Sequence, residues 1–175
     1  MATSLPAPHD GPVSICPAVP GDMADIRFIV AQTWADTYGP LVGQGRVATM
    51  VDTLLNPQSL SRLIADASTE TPLARVCGVA AATALARVED NCLRVLRLYV
   101  LPDFQGRGLG VALLAWLAAR QRAGMTIRLE AAVANTGALR FYAREGFVDI
   151  GGDREIIGGV TFEVRHLERR AAWGD

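Results

Sequence analysis

The stretch Gln105-Gly106-Arg107-Gly108-Leu109-Gly110 decides how this chain is read. It follows an apolar, strand-like run from Arg94 to Leu101 and opens directly into a helical pattern. Glycines let the backbone come close to a bound group, and a helix start offers unpaired N–H groups and the positive end of its dipole. Together they make an anion cradle suited to a pyrophosphate without a metal. Alone, the same residues would also serve as a tight turn between strand and helix, so the surroundings carry the reading.

Downstream, Leu113, Leu114, Leu117 and Ala118 fall at helical spacing, which predicts a helix from Leu109 to about Gln121, stopped by Gly124. A second cluster follows in NTGALRFYAREGF, where Asn135 stands at a helix entry and Tyr142 lies two turns later on the same side. The two clusters together are far more specific than either part.

At these residues the chain resembles the GCN5-related N-acetyltransferases (GNAT). Their acetyl-CoA site is marked by a Gln/Arg-x-x-Gly-x-Gly/Ala loop and a later Asn-x-x-Ala-x-x-Phe-Tyr-x-x-x-Gly-Phe helix. The matching strings are Gln105 through Gly110 and Asn135 through Phe147, with Leu98-Tyr99-Val100-Leu101-Pro102 also typical. The resemblance is sharp over residues 92–150. It implies acetyl-CoA as co-substrate, with Gln105, Gly106, Arg107, Gly108, Leu109 and Gly110 on the pyrophosphate. It also implies that Leu98, Tyr99 and Val100 pair with the amides of the pantetheine arm as an added strand would, and that Asn135 bonds the same arm.

Composition bounds the remaining choices. At 175 residues the chain is expected to form one domain, here 12–170, between a flexible N-terminal tail at 1–11 and a C-terminal tail at 171–175. Net charge is −1 with both signs scattered, so no nucleic-acid footprint is expected. All 17 basic residues are Arg. Cys16, Cys77 and Cys92 are odd in number and widely spaced, which fits a reduced, cytoplasmic protein. With His9 and His166 as the only histidines, neither a metal site nor a Ser/His/Asp triad is expected. No uncharged run approaches the ~18 residues of a membrane span, so no membrane partner is expected.

Along the chain, Val13 to Cys16 alternates like a strand. Ile26, Ile29, Val30, Thr33, Trp34 and Tyr38 then mark a helix that Asp22 caps and Gly39-Pro40 ends. Short helical pieces are expected at 50–55 and 59–67. Strands follow at Val76 to Leu85 and Leu93 to Val100, joined by a turn at Glu89-Asp90-Asn91. A strand at Thr126 to Val133 and a helix from Thr136 to Arg144 come next. A closing strand pair, Phe147 to Ile150 and Val160 to Leu167, spans a Gly-rich link at Gly151 to Gly159. This order gives an α+β, or mixed α/β, fold: a mostly antiparallel central sheet flanked by helices, with one parallel crossover. The resemblance adds that the sheet is splayed between the strands at 93–100 and 126–133.

Acetyl transfer to an amine needs a neutral nucleophile and a proton for the departing thiolate. Tyr142 matches the family's proton donor, or is one aromatic of a core pair with Phe141. Asn135 binds the cofactor arm or caps its helix. Where many members carry a glutamate base, this chain has Arg94. Glu130 stands on the next strand, where relatives resembling the ribosomal-protein alanine N-acetyltransferases place a base, or it is a carboxylate ion-paired with Arg128 or Arg97. Trp34, Asp36 and Tyr38, with Asp52 behind them, make an acidic and aromatic mouth for a cationic amine, unless Trp34 is simply core. The function expected is N-acetylation of a small-molecule or peptide amine, with a homodimer as one possible assembly. The rival reading is a non-catalytic domain that binds or senses acyl-CoA. A nucleotide site is disfavoured, because the third glycine of a dinucleotide loop and the Lys of a P-loop are both missing.

Overall fold

A computed structural model of the chain describes residues 11–122, 124–157 and 159–170. Gly11 apart, the expected tails, and with them His9, lie outside those residues. The elements run β1 (Val13–Pro17), α1 (Met23–Val42), α2 (Gln44–Leu54), α3 (Pro57–Ala65), β2 (Thr69–Glu70), β3 (Pro72–Val76), β4 (Val79–Glu89) and β5 (Cys92–Val100). They continue with α4 (Leu109–Ala118), β6 (Thr126–Ala132), α5 (Thr136–Arg144), β7 (Val148–Ile157) and β8 (Val160–Arg170). The sheet order is β1-β3-β4-β5-β6-β8-β7, with β2 added on β4. Among the described residues, only β5 and β6 run parallel. The expected mixed α/β layer fold is therefore the one observed.

Residues 81–86 of β4 are all buried, which requires cover on both faces of the sheet. On one side α1 brings Ile26, Ile29, Val30 and Trp34, and on the other α4 brings Leu109, Leu113, Leu114 and Leu117. Alanines at 81, 82, 84 and 86 let the helices approach closely.

One irregularity sets up the site. Parallel pairing of β5 with β6 begins at Cys92↔Thr126 and stops at Val95↔Leu129. The β4–β5 register shifts at the same level, pairing Leu85 with Arg97 and Ala86 with Val95, so Leu96 is an extra residue. Such a bulge bends its strand and raises its twist. Beyond it β5 stays with β4 as far as Val100, while β6 stays with β8 as far as Ala132↔Val164. The sheet opens between them, and the expected splay is present.

Several boundaries differ from the sequence reading, each for a local reason. Gly39-Pro40 does not end α1: Pro40 forfeits only the bond to the Asp36 carbonyl, and the helix runs on until Gly43, at φ 86, turns it. Asp22 precedes α1 without capping it, because its carboxylate accepts from Val19 N–H and from Arg75 instead. The strand expected at Val76 to Leu85 is two strands joined by Cys77 (φ 50) and Gly78 (φ 80), a two-residue hairpin turn. The same device operates at Asp90 (φ 48) and Asn91 (φ 59), where a turn was expected. α4 ends at Ala118, because Arg120 and Gln121 N–H groups reach back only three residues, to Leu117 and Ala118. The link expected from Gly151 is mostly strand β7. Gly151 (φ 134) absorbs a register shift, and a Cβ at Gly152 would lie 2.5 Å from the Val164 carbonyl oxygen.

Candidate active site

The glycine loop stands over one end of the opening. Gly106 (φ 74) and Gly108 (φ 78) both lie in the left-handed region, and an added Cβ at either would meet nothing within 4 Å. Gly108 O accepts the first helical bond, from Ala112 N at 2.9 Å. The N–H groups of Leu109, Gly110 and Val111 therefore have no acceptor within α4 and face its N-terminal end. Gln105 pins the loop by donating from Nε2 to Val100 O at 3.1 Å. Arg107 lies over the Phe104 ring, 5.9 Å from its centroid. Gly110 has a different task from Gly106 and Gly108. A Cβ there would come within 3.0 Å of Phe141, so its bareness lets α4 pack on α5.

Leu98, Tyr99 and Val100 pair on one edge with Ala84, Thr83 and Ala82, and their other edge borders the opening. Across it, Asn135 accepts from Ala138 N at 3.0 Å and so caps α5; burial raises the nearby Tyr38 phenol above its ordinary value, with Asn135 opposing and the Glu155 charge adding to the shift. Two turns on, Tyr142 is 7% exposed and packs against Phe141 and Phe147 with ring centroids 5.0 and 5.4 Å away. The ring belongs to the core, and the hydroxyl makes no hydrogen bond among the described residues. Burial pushes its phenol well above the ordinary value, with Tyr99 and Tyr38 adding to the shift. Burial likewise lifts Tyr99, to about 12. A phenol so placed keeps its proton at neutral pH and can donate it.

On the α1 face of the opening, Glu130 is the first residue of β6 past the last parallel pair. Its partner is Arg94, at 3.0 Å, rather than Arg97 or Arg128; Arg128 instead holds Glu168 at 2.7 Å. His166, directly opposite on β8, brings Nδ1 to 3.4 Å from the same Glu130 oxygen. Trp34 is 5% exposed and therefore core, yet it also forms the floor of an aromatic wall. Its ring lies 6.1 Å from Tyr38 and 6.2 Å from Tyr99, and Tyr38 lies 5.1 Å from Phe162. Asp36 does not join them. Residues two apart on a helix do not share a face, and Asp36 is exposed. Asp52 is held by Arg27 at 2.7 Å.

The sequence reading missed Phe162 and Glu155, paired across the β7–β8 hairpin on this same face. Alternation along β8 gave the signal for Phe162; Glu155 lay in the stretch taken for a link. Among the described residues, no group of three or more His, Cys, Asp or Glu is disposed to hold a metal, and no helix is long and apolar enough to cross a membrane.

Comparison with known proteins agrees with this geometry. Residues 65–149 match the model of the acetyltransferase (GNAT) domain. An uncharacterised N-acetyltransferase of Mycobacterium tuberculosis is 28% identical over 145 residues, covering 81% of this chain and 92% of that protein. The fold is shared with the PaiA N-acetyltransferase of Thermoplasma acidophilum, solved in complex with coenzyme A (TM-score 0.72, 17% identity, 91% of this chain and 99% of that one). It is also shared with the ribosomal-protein-S18-alanine N-acetyltransferase of Escherichia coli (TM-score 0.64, 19% identity, 93% and 96% covered). The glycine loop at a helix start and the opening beside it lie within the stretch 65–149 that matches the acetyltransferase (GNAT) domain, and the fold is the one these solved N-acetyltransferases share.

Proposed function

We propose that the protein transfers the acetyl group of acetyl-CoA to a primary amine by direct attack of the amine on the thioester. The observation that carries this reading is the end of β5–β6 pairing at Val95↔Leu129, beyond which β5 runs on unpaired on that edge toward the loop that starts α4. The pyrophosphate of CoA lies on the N–H groups of the 105–110 loop, with Gly106 and Gly108 supplying the left-handed turns that aim them. The pantetheine arm adds to the free edge of Leu98 to Val100. Asn135 borders that arm from the far side.

Acetyl-CoA supplies an activated acyl carbon, and the chain's own residues manage the protons. Tyr142 holds its phenolic proton and gives it to the sulfur as the C–S bond breaks. Glu130, on the other wall, receives the proton that the ammonium must lose, directly or through one water. Arg94 fixes the Glu130 carboxylate by an ion pair at 3.0 Å. Trp34, Tyr38 and Tyr99 line the acceptor side, while Asp36, which points elsewhere, is removed from the assignment.

Thiol release tests the reading against the rival one, a domain that binds acyl-CoA without turnover. Acetyl-CoA is mixed with protein and a panel of amines, and free thiol is followed. Amine-dependent release supports the transferase. Tight acetyl-CoA binding with no release by any amine would favour the sensor.

A further inference from the structure

Most carboxylates of the β6–β8–β7 region are held by a guanidinium, and Asp153 accepts from the Arg154 N–H. Glu130 is held by Arg94 at 3.0 Å, Glu168 by Arg128 at 2.7 Å, Asp149 by Arg165 at 2.7 Å and Glu163 by Arg154 at 3.8 Å. Glu155 is different. Among the described residues it makes neither an ion pair nor a side-chain hydrogen bond. Its cross-strand neighbour is Phe162, whose ring meets Tyr38, so Glu155 shares the acceptor face with that aromatic pair. Its charge is felt at Tyr38 and at Tyr99. Partial desolvation of this exposed side chain and the Glu130 charge push its carboxyl upward against the pull of His166 and Arg94. A carboxylate left unpaired on a face that also carries aromatic rings is relieved by a cation, which gains from the charge and from the rings together.

Its position says which cation. On β8 the Glu155 partner, Phe162, is four residues from His166, the partner of Glu130. At strand spacing this puts the two rows about 13 Å apart along β8, room for the two carboxylates to meet different nitrogens of one acceptor even though their charges still reach one another. We infer that Glu155, on the face it shares with Phe162 and Tyr38, anchors a second positive charge of the acceptor, and that the preferred substrates are dicationic amines whose reacting nitrogen lies at Glu130. This rests on the acetyltransferase reading and adds the substrate class to it.

The test compares hexamethylenediamine with n-hexylamine as acceptors, followed by thiol release at saturating acetyl-CoA, for wild type, Glu155→Gln, Glu155→Asp and Glu163→Gln. Glu163, paired with Arg154 on the other face of the hairpin, is the control. In wild type the diamine should have the lower KM, by about 10-fold, the size expected of one charge-assisted contact. Glu155→Gln should erase that difference and leave n-hexylamine kinetics and acetyl-CoA KM unchanged. Glu155→Asp should restore part of it. Equal KM values for the two amines in wild type would overturn the inference alone, as would a Glu155→Gln change that weakens both amines alike. No thiol release by wild type with either amine would overturn the parent reading and this inference with it. Glu155 is exposed, so the variants should fold, and matching melting curves verify it.

Discussion

Substituting Gly108 separates the two things its position does. At φ 78 it holds a left-handed turn at the start of α4, and an added Cβ meets nothing within 4 Å. Asn and Asp both tolerate that conformation better than other residues, so each should cost no more than about 1–2 kcal/mol of stability, and the two should cost nearly the same. In a chain of this size each kcal/mol moves the melting temperature by about 2–4 °C. They differ in charge alone. On the proposed placement a carboxylate at this point faces the pyrophosphate, and at an effective dielectric near 20 two unit charges repel by about 4 kcal/mol at 4 Å and about 2 kcal/mol at 8 Å. Gly108→Asp should therefore bind acetyl-CoA roughly 30- to 1,000-fold more weakly than Gly108→Asn. Isothermal titration of both variants measures this directly, with thermal melts as the stability control. Equal affinities for the Asn and Asp variants would refute the placement of phosphate at this loop, whatever the stability data say.

Tyr142→Phe keeps the buried ring and deletes the hydroxyl, so kcat should fall on the order of 10²-fold while acetyl-CoA affinity holds, as steady-state kinetics and titration would read. Unchanged kcat with lowered stability would leave Tyr142 as core alone. Gly110→Val places a branched side chain where even a Cβ lies 3.0 Å from Phe141, and overpacking of this kind should lower stability by about 1–3 kcal/mol in denaturant melts. Tyr99 has its phenol raised from 10.0 to about 12 by burial, so the folded state keeps a proton that the unfolded chain gives up. Its contribution is fully present below pH 10.0 and is lost as pH rises toward about 12, so Tyr99→Phe should flatten the alkaline fall in stability. An alkaline limb that is just as steep in the variant would contradict that assignment.

The parts legible in the sequence are those whose signal is local. Gly106 and Gly108, the Asn135 cap and the alternation of Ile127, Leu129 and Ala131 each report backbone geometry within a few residues, and each stands where it was expected. The turn at Asp90-Asn91 was legible because both residue types accept positive φ, whereas Cys77 at φ 50 gave no such sign and hid the β3–β4 hairpin. Gly39-Pro40 and Gly151-Gly152 misled for the opposite reason: strong breakers were absorbed by a helix carried to Gly43 and by a bulge. Asp36 was grouped with Trp34 and Tyr38 by nearness in sequence, which helical geometry undoes. The Arg94–Glu130 pair and the position of Glu155 depend on which strands become neighbours. That information lies in the sheet order rather than in any one segment.

Transfer of the acetyl group itself tests the central claim most directly. Acetyl-CoA carrying an isotopic label in its acetyl group is incubated with an amine and either wild-type protein or Gly108→Asp, and the amine is examined by mass spectrometry. The account predicts a labelled amide formed by wild type in step with thiol release, and little or none formed by the variant. Thiol release without a labelled amide, or equal amide from both proteins, would contradict it.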